Sequence, residues 1–165
     1  PALALGLGEG DGGTMKRPPR DHREHILTRG HWLALGVYGL LIAAAVLGAF
    51  ALALTTLGFT ERQAVSAAFL TLGLAQLWHV FNMRNPGSSF LHNDVTRNPY
   101  IWQSIGLSIL LLLPAVYVPG LASVLGTTAP GAQGWALIIG ASLIPFAVGQ
   151  VLKGGLVRHP TQPGP

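Results

Sequence analysis

The sequence predicts an all-α integral membrane protein with four transmembrane helices, and two observations carry that prediction. Four long apolar runs contain no Asp, Glu, Lys or Arg: Leu33 to Leu57, Ala64 to Met83, Tyr100 to Leu121 and Trp135 to Leu152. At a rise of about 1.5 Å per residue, each run as a helix crosses a hydrocarbon core about 30 Å thick. The second observation is where the charge lies. Nine of the ten Lys and Arg residues precede the first run (Lys16, Arg17, Arg20, Arg23, Arg29), separate the second from the third (Arg84, Arg97) or follow the fourth (Lys153, Arg158), leaving Arg62 on the other side. Basic residues accumulate in cytoplasmic connections, so both termini are expected in the cytoplasm.

These two facts narrow the function. About half of the 165 residues lie in spans, and the remainder is too short for a soluble catalytic domain. The net charge of +4 sits beside lipid-facing runs and does not line one soluble face, which favours the lipid bilayer as partner and excludes nucleic acid. With no cysteine, disulfide and thiol chemistry are excluded.

In chain order, residues 1–8 (PALALGLG) are apolar but too short to span, and they read as the end of a preceding membrane helix in a longer protein. Residues 9–31 form a basic cytoplasmic loop, 32–153 a four-helix transmembrane domain and 154–165 a Pro-rich, disordered tail. Within the loop, Gly10 to Gly13 (GDGG) lacks a preceding strand and a following GK[ST], so it reads as a linker. His22 and His25 with Asp21 and Glu24 match no zinc spacing, and no firm metal site is expected there.

The first span carries small residues four apart, Ala44 with Gly48 and Ala45 with Ala49; the fourth carries Ala136 and Gly140. Such pairs let helix backbones approach in lipid. Thr60 and Gln63 form a capping-box pattern that opens the second span. Asn98 and Pro99 break the chain before the third, and Pro130 to Gly134 make a turn before the fourth. Pro114 and Pro145 each remove a backbone donor inside a helical run and are expected to kink it.

Polar residues within the spans are the candidate site. Gln76, His79 and Asn82 recur every three residues on the second span and predict a polar stripe. His79 and Asn82 are expected near the cytoplasmic interface, where water satisfies them, and Gln76 deeper, where it needs a partner. Its amide is read either as an oxygen near an ion path or as a hydrogen bond between helices. Ser104 and Ser108 are expected to bond to carbonyls of their own helix. Gln150 is expected at the interface, satisfied by solvent.

Several words in fixed order carry a family resemblance: PALALG (Pro1 to Gly6), MKRPPR (Met15 to Arg20), AFLTLGLAQLWHVFNMR (Ala68 to Arg84), NPY (Asn98 to Tyr100) and YVPGL (Tyr117 to Leu121). Together they resemble the C-terminal membrane region of type II P-type cation-transporting ATPases, the calcium-pump-like group. The resemblance implies the last four of ten membrane helices, a bacterial plasma membrane, and the remaining membrane helices and cytoplasmic domains of the pump as partners. It also implies a cation as cargo, with Gln76 at a position where the eighth helix contributes a side-chain oxygen. Calcium pumps with two ion sites carry a carboxylate at that position. The loop Met15, Lys16, Arg17, Pro18, Pro19 and Arg20 matches one that couples the membrane helices to the phosphorylation domain.

The DKTG, TGE and GDGxND motifs of such pumps are absent from this sequence. The chain alone is therefore expected to bind no cofactor, and ATP and Mg belong to the complete pump. The expected function is to scaffold the ion-binding helices of an ATP-driven cation pump. The alternative is a stand-alone membrane assembly or regulatory protein derived from one. An independent ion carrier fits less well, because no Asp, Glu, Lys or Arg lies in the spans.

Overall fold

The computed structural model describes residues 2–6, 29–83 and 94–156, all the helices below falling within them. The coupling loop Met15–Arg20, the His22/His25 cluster and the end of the tail lie outside the described residues. A short helix α1 (Ala2–Gly6) precedes α2 (Arg29–Thr55) and α3 (Glu61–His79), which tightens into a 3₁₀ turn at Val80–Met83. Then follow α4 (Asp94–Arg97), α5 (Pro99–Leu112), α6 (Pro114–Tyr117), α7 (Pro119–Leu125) and α8 (Ala132–Leu156). Four stretches are long and apolar enough to cross a membrane: Arg29–Thr55, Glu61–Met83, Pro99–Tyr117 and Ala132–Val151.

Local chemistry sets the boundaries. α2 stops at Thr55, where Gly58 takes a left-handed φ of 63° and Phe59 N–H turns back to the Ala53 carbonyl at 2.9 Å. The capping box at α3 is complete, with the Thr60 hydroxyl accepting from Gln63 N–H and the Gln63 amide oxygen accepting from Thr60 N–H at 2.9 Å. Thr60→Ala is expected to destabilise the protein by about 1 kcal/mol, read as a lower detergent-unfolding midpoint. Asn98 caps α5 by accepting from Tyr100 N–H at 2.9 Å and also donates to the Ala4 carbonyl at 2.9 Å, tying α1 to the start of the third span.

The third span is shorter than the sequence predicts. It ends at Tyr117, because Val118 precedes Pro119 and is driven to an extended conformation (φ −86°, ψ 113°). The chain resumes as α7 only after that break. The two candidate kink prolines behave differently. Pro114 lies where α5 gives way to α6, whereas α8 runs on through Pro145, whose side chain is fully buried. The predicted turn before the fourth span is also shorter, since α8 already begins at Ala132.

Helices α2, α3 and α8 pack on one another, and α5 reaches this trio chiefly through α3. Small side chains permit the contact: Ala45, Ala49 and Ala53 on α2, Ala64 and Ala67 on α3, and Ala141 on α8 are buried. Gly73 lets α5 approach, since a Cβ there would meet Leu112 Cδ1 at 2.7 Å. The other small residues face outward, with Ala44, Ala136 and Gly140 exposed. Large apolar residues such as Leu33, Leu40, Leu47, Leu110 and Val151 are exposed too, as lipid contact requires.

Several polar side chains inside the bundle are matched, although the buried Thr71 hydroxyl finds no partner among the described residues. Trp78 Nε1 donates to Ser142 Oγ at 3.2 Å, joining α3 to α8. Ser66 donates to the Arg62 carbonyl at 2.7 Å and accepts from Thr128 N–H at 2.8 Å. Ser104 and Ser108 donate to the carbonyls of Ile101 and Ser104, as expected from their spacing. The buried Thr127 hydroxyl donates to the Ala115 carbonyl. That carbonyl's helical donor would be the N–H of residue 119, which is proline, so Thr127 supplies the hydrogen bond that the ring removes.

Candidate functional site

The polar stripe of α3 divides in two. Residues three apart on an α-helix fall about 60° short of a full turn, so Gln76 and Asn82 diverge around the axis. Asn82 is 2% exposed and turned into the bundle, while Gln76 is exposed on its outer side.

The inward half is a polar cluster at the helix ends that include His79 and Gln150. Gln150 Nε2 donates to Asn82 Oδ1 at 2.6 Å. Tyr38 OH donates to the Gly149 carbonyl at 3.4 Å, and its ring meets the His79 imidazole at a centroid separation of 4.5 Å. Gly149 forms the floor: a Cβ there would lie 2.5 Å from Asn82 Nδ2 and 2.7 Å from Tyr38 Cε1. This corrects two expectations. Asn82 is buried in the bundle with its Oδ1 bonded to protein, and Gln150 turns inward to it. Tyr38 was not anticipated from the sequence, because a single tyrosine in an apolar helix carries no periodic signal.

The outward half is a groove. Gln76 lines it with Gly39, Ile42, Ala43, Val46, Leu47 and Leu72, around a volume of about 490 Å³. Within this chain Gln76 is exposed, and the groove presents its amide to whatever lies beside α2 and α3. Gly39 and Ala43 keep the α2 wall low, so a further helix can approach the amide closely. Its oxygen is a neutral hard donor, suited to a hard cation or to a hydrogen-bond donor from another helix. Among the described residues, no three His, Cys, Asp or Glu side chains gather to hold a metal. Pro114 and Pro145 belong to neither half of the stripe.

Over residues 1–154 the sequence matches the family described as cation transporting ATPase, C-terminus. The chain belongs to that family. Its relatives include a calcium-transporting ATPase of Bacillus subtilis, 37% identical over 145 residues that cover 88% of this chain and 16% of that protein. A calcium-transporting ATPase 1 of Bacillus cereus is 30% identical over 168 residues, covering 93% of this chain and 19% of the relative. One of Lactococcus lactis is 29% identical over 150 residues, covering 90% and 16%. The chain thus spans less than a fifth of the length of these relatives. It is the C-terminal region of a cation-transporting ATPase family member, an integral membrane segment with four helices long and apolar enough to cross a bilayer.

Proposed function

We propose that the chain completes the membrane domain of an ATP-driven pump that carries calcium, and that Gln76 contributes its amide oxygen beside the cation pathway. The observation that carries this reading is the groove, in which an uncharged oxygen donor stands exposed among apolar and small residues of α2 and α3. Calcium as cargo is supported by the names of the relatives. In the complete pump, a membrane helix from outside this chain occupies the groove and brings charged oxygen ligands next to Gln76. The buried trio α2, α3 and α8 holds that wall in place, with both termini on the cytoplasmic side, where nine of ten basic residues lie. ATP and Mg act on cytoplasmic domains outside this chain, and the Met15–Arg20 segment couples those domains to the helices.

The test is ATP-dependent calcium uptake into inverted vesicles by the full-length protein. Loss of an oxygen contact to a charged group is worth about 1.5 kcal/mol, or about tenfold in affinity. Gln76→Ala is therefore expected to raise the calcium concentration for half-maximal uptake about tenfold. Gln76→Glu is expected to lower it, because hard divalent cations prefer charged oxygen. Unchanged calcium dependence in both variants would remove Gln76 from the pathway. Absence of calcium uptake by the unaltered full-length protein would instead reject calcium as its cargo.

A further inference from the structure

We infer that α7, residues Pro119–Leu125, lies along the membrane surface with its outer apolar side chains seated in lipid at the edge of the hydrocarbon. The argument begins with length. The third span, Pro99–Tyr117, has 19 residues and reaches about 28 Å, which nearly equals the hydrocarbon thickness of about 30 Å. Its end therefore coincides with the edge of the acyl layer. There the chain breaks at Val118, whose extended backbone lets α7 leave the line of the span.

The composition of α7 suits lipid better than water. Val124 is 83% exposed, and Leu121 and Leu125 are exposed beside it, while Ala122 packs inward. Leu107, Leu110 and Leu111 of the span just before it are exposed to a similar degree. No charged residue or histidine occurs between Arg97 and Lys153, so nothing in the segment favours lifting it into bulk water. Tyr117 and Trp135 flank the break and share a hydrogen bond of 3.0 Å; paired amphipathic rings are found at the headgroup level.

The helix is also held at this height. Gly126 ends it in a left-handed conformation, and Thr127 turns back to the Ala115 carbonyl. The chain from 127 to 130 is then tied to α3 by Thr128 N–H and Ser66. α7 is thus an anchor that fixes the depth of the outer ends of α5 and α8. The inference requires only that the four helices cross a bilayer and is independent of which ion the protein moves.

The absence of cysteine from this chain gives a direct test. In the full-length protein, with any cysteine outside the chain replaced by serine, nitroxide labels are placed singly at Val124→Cys, Leu121→Cys, Glu61→Cys and Leu110→Cys in phosphatidylcholine vesicles. Collision rates with oxygen, which concentrates in lipid, are compared with those of a water-soluble nickel chelate. Leu110 supplies the lipid reference and charged Glu61 the water reference. The oxygen-to-nickel ratio at Val124 and Leu121 is expected to exceed that at Glu61 several-fold. A ratio equal to that at Glu61 would place α7 in water and overturn the inference. Protection from both reagents would mean that protein covers it, which overturns the inference equally. Two labelled positions guard against local disturbance at either one.

Discussion

Gly149→Val is expected to destabilise the bundle by about 3 kcal/mol, whereas Gly140→Val in the same helix is expected to change stability by less than about 0.5 kcal/mol. At Gly149 a Cβ alone would sit 2.5 Å from Asn82 Nδ2 and 2.7 Å from Tyr38 Cε1, while at Gly140 nothing lies within 4 Å. Asn82 cannot swing aside cheaply, because its Oδ1 accepts from Gln150, and displacing it would leave buried amide groups without their partners. Tyr38 is held on its other side by the His79 ring. Overpacking at this point therefore forces α8 away from both α2 and α3. Gly140 faces outward, where a valine side chain meets lipid. The two variants can be compared by sodium dodecyl sulfate titration of the full-length protein in bicelles, followed by circular dichroism. Equal midpoints for the two would refute the close packing described at Gly149.

The second large effect is expected at Thr127. Thr127→Val keeps the shape but deletes the hydroxyl, leaving the Ala115 carbonyl facing a proline that has no N–H to offer. Ala115 is 4% exposed and Thr127 5% exposed, so water does not readily replace the bond. An unsatisfied buried acceptor is worth about 2 kcal/mol, and the loss is expected in the unfolding free energy of Thr127→Val. Thr127→Ser retains the donor and is expected to recover most of that energy. A Pro119→Ala, Thr127→Val double variant separates the causes, because residue 119 then supplies an N–H. If it were no more stable than Thr127→Val alone, the replacement role assigned to Thr127 would be wrong.

Much of this architecture is legible in the sequence because membrane helices announce themselves by composition. Four uncharged runs give the four spans, Thr60 with Gln63 gives the start of α3, and Asn98 with Pro99 gives the start of α5. The spacing of Ser104 and Ser108 is enough to predict their bonds to local carbonyls. What the sequence hides is direction. In water an apolar stripe identifies the buried face, but in lipid both faces are apolar, so Ala45 and Ala49 pack inward while Ala136 and Gly140, with the same spacing, face outward. For the same reason α7 is masked, since Gly120 and Leu121 extend the apolar run beyond the proline that ends the span.

The candidate site shows the same division. Polar residues in an apolar run mark α3 as unusual, and the family resemblance draws attention to Gln76. Neither reveals that Gln76 and Asn82 point to different surroundings, because a three-residue spacing drifts around the helix by an amount that only packing makes meaningful. Gln150 looks interfacial by position alone. It is the depth of Asn82, provided by helices distant in sequence, that turns Gln150 inward.

The hydrogen bond between Trp78 and Ser142 has a mechanical consequence. It crosses from α3 to α8 within the buried trio, away from the polar cluster at Asn82 and from the Ser66 link to the outer loop. The Trp78–Ser142 and Asn82–Gln150 bonds join the second and fourth spans at different heights, and the Ser66 bond holds the loop, so together they oppose sliding of α8 along α3. α5 meets the trio at the close contact of Leu112 with Gly73 and through the Trp102 ring, which lies against Phe81 at a centroid separation of 5.5 Å. A displacement of α8 is therefore coupled to α3 at two levels of the bundle.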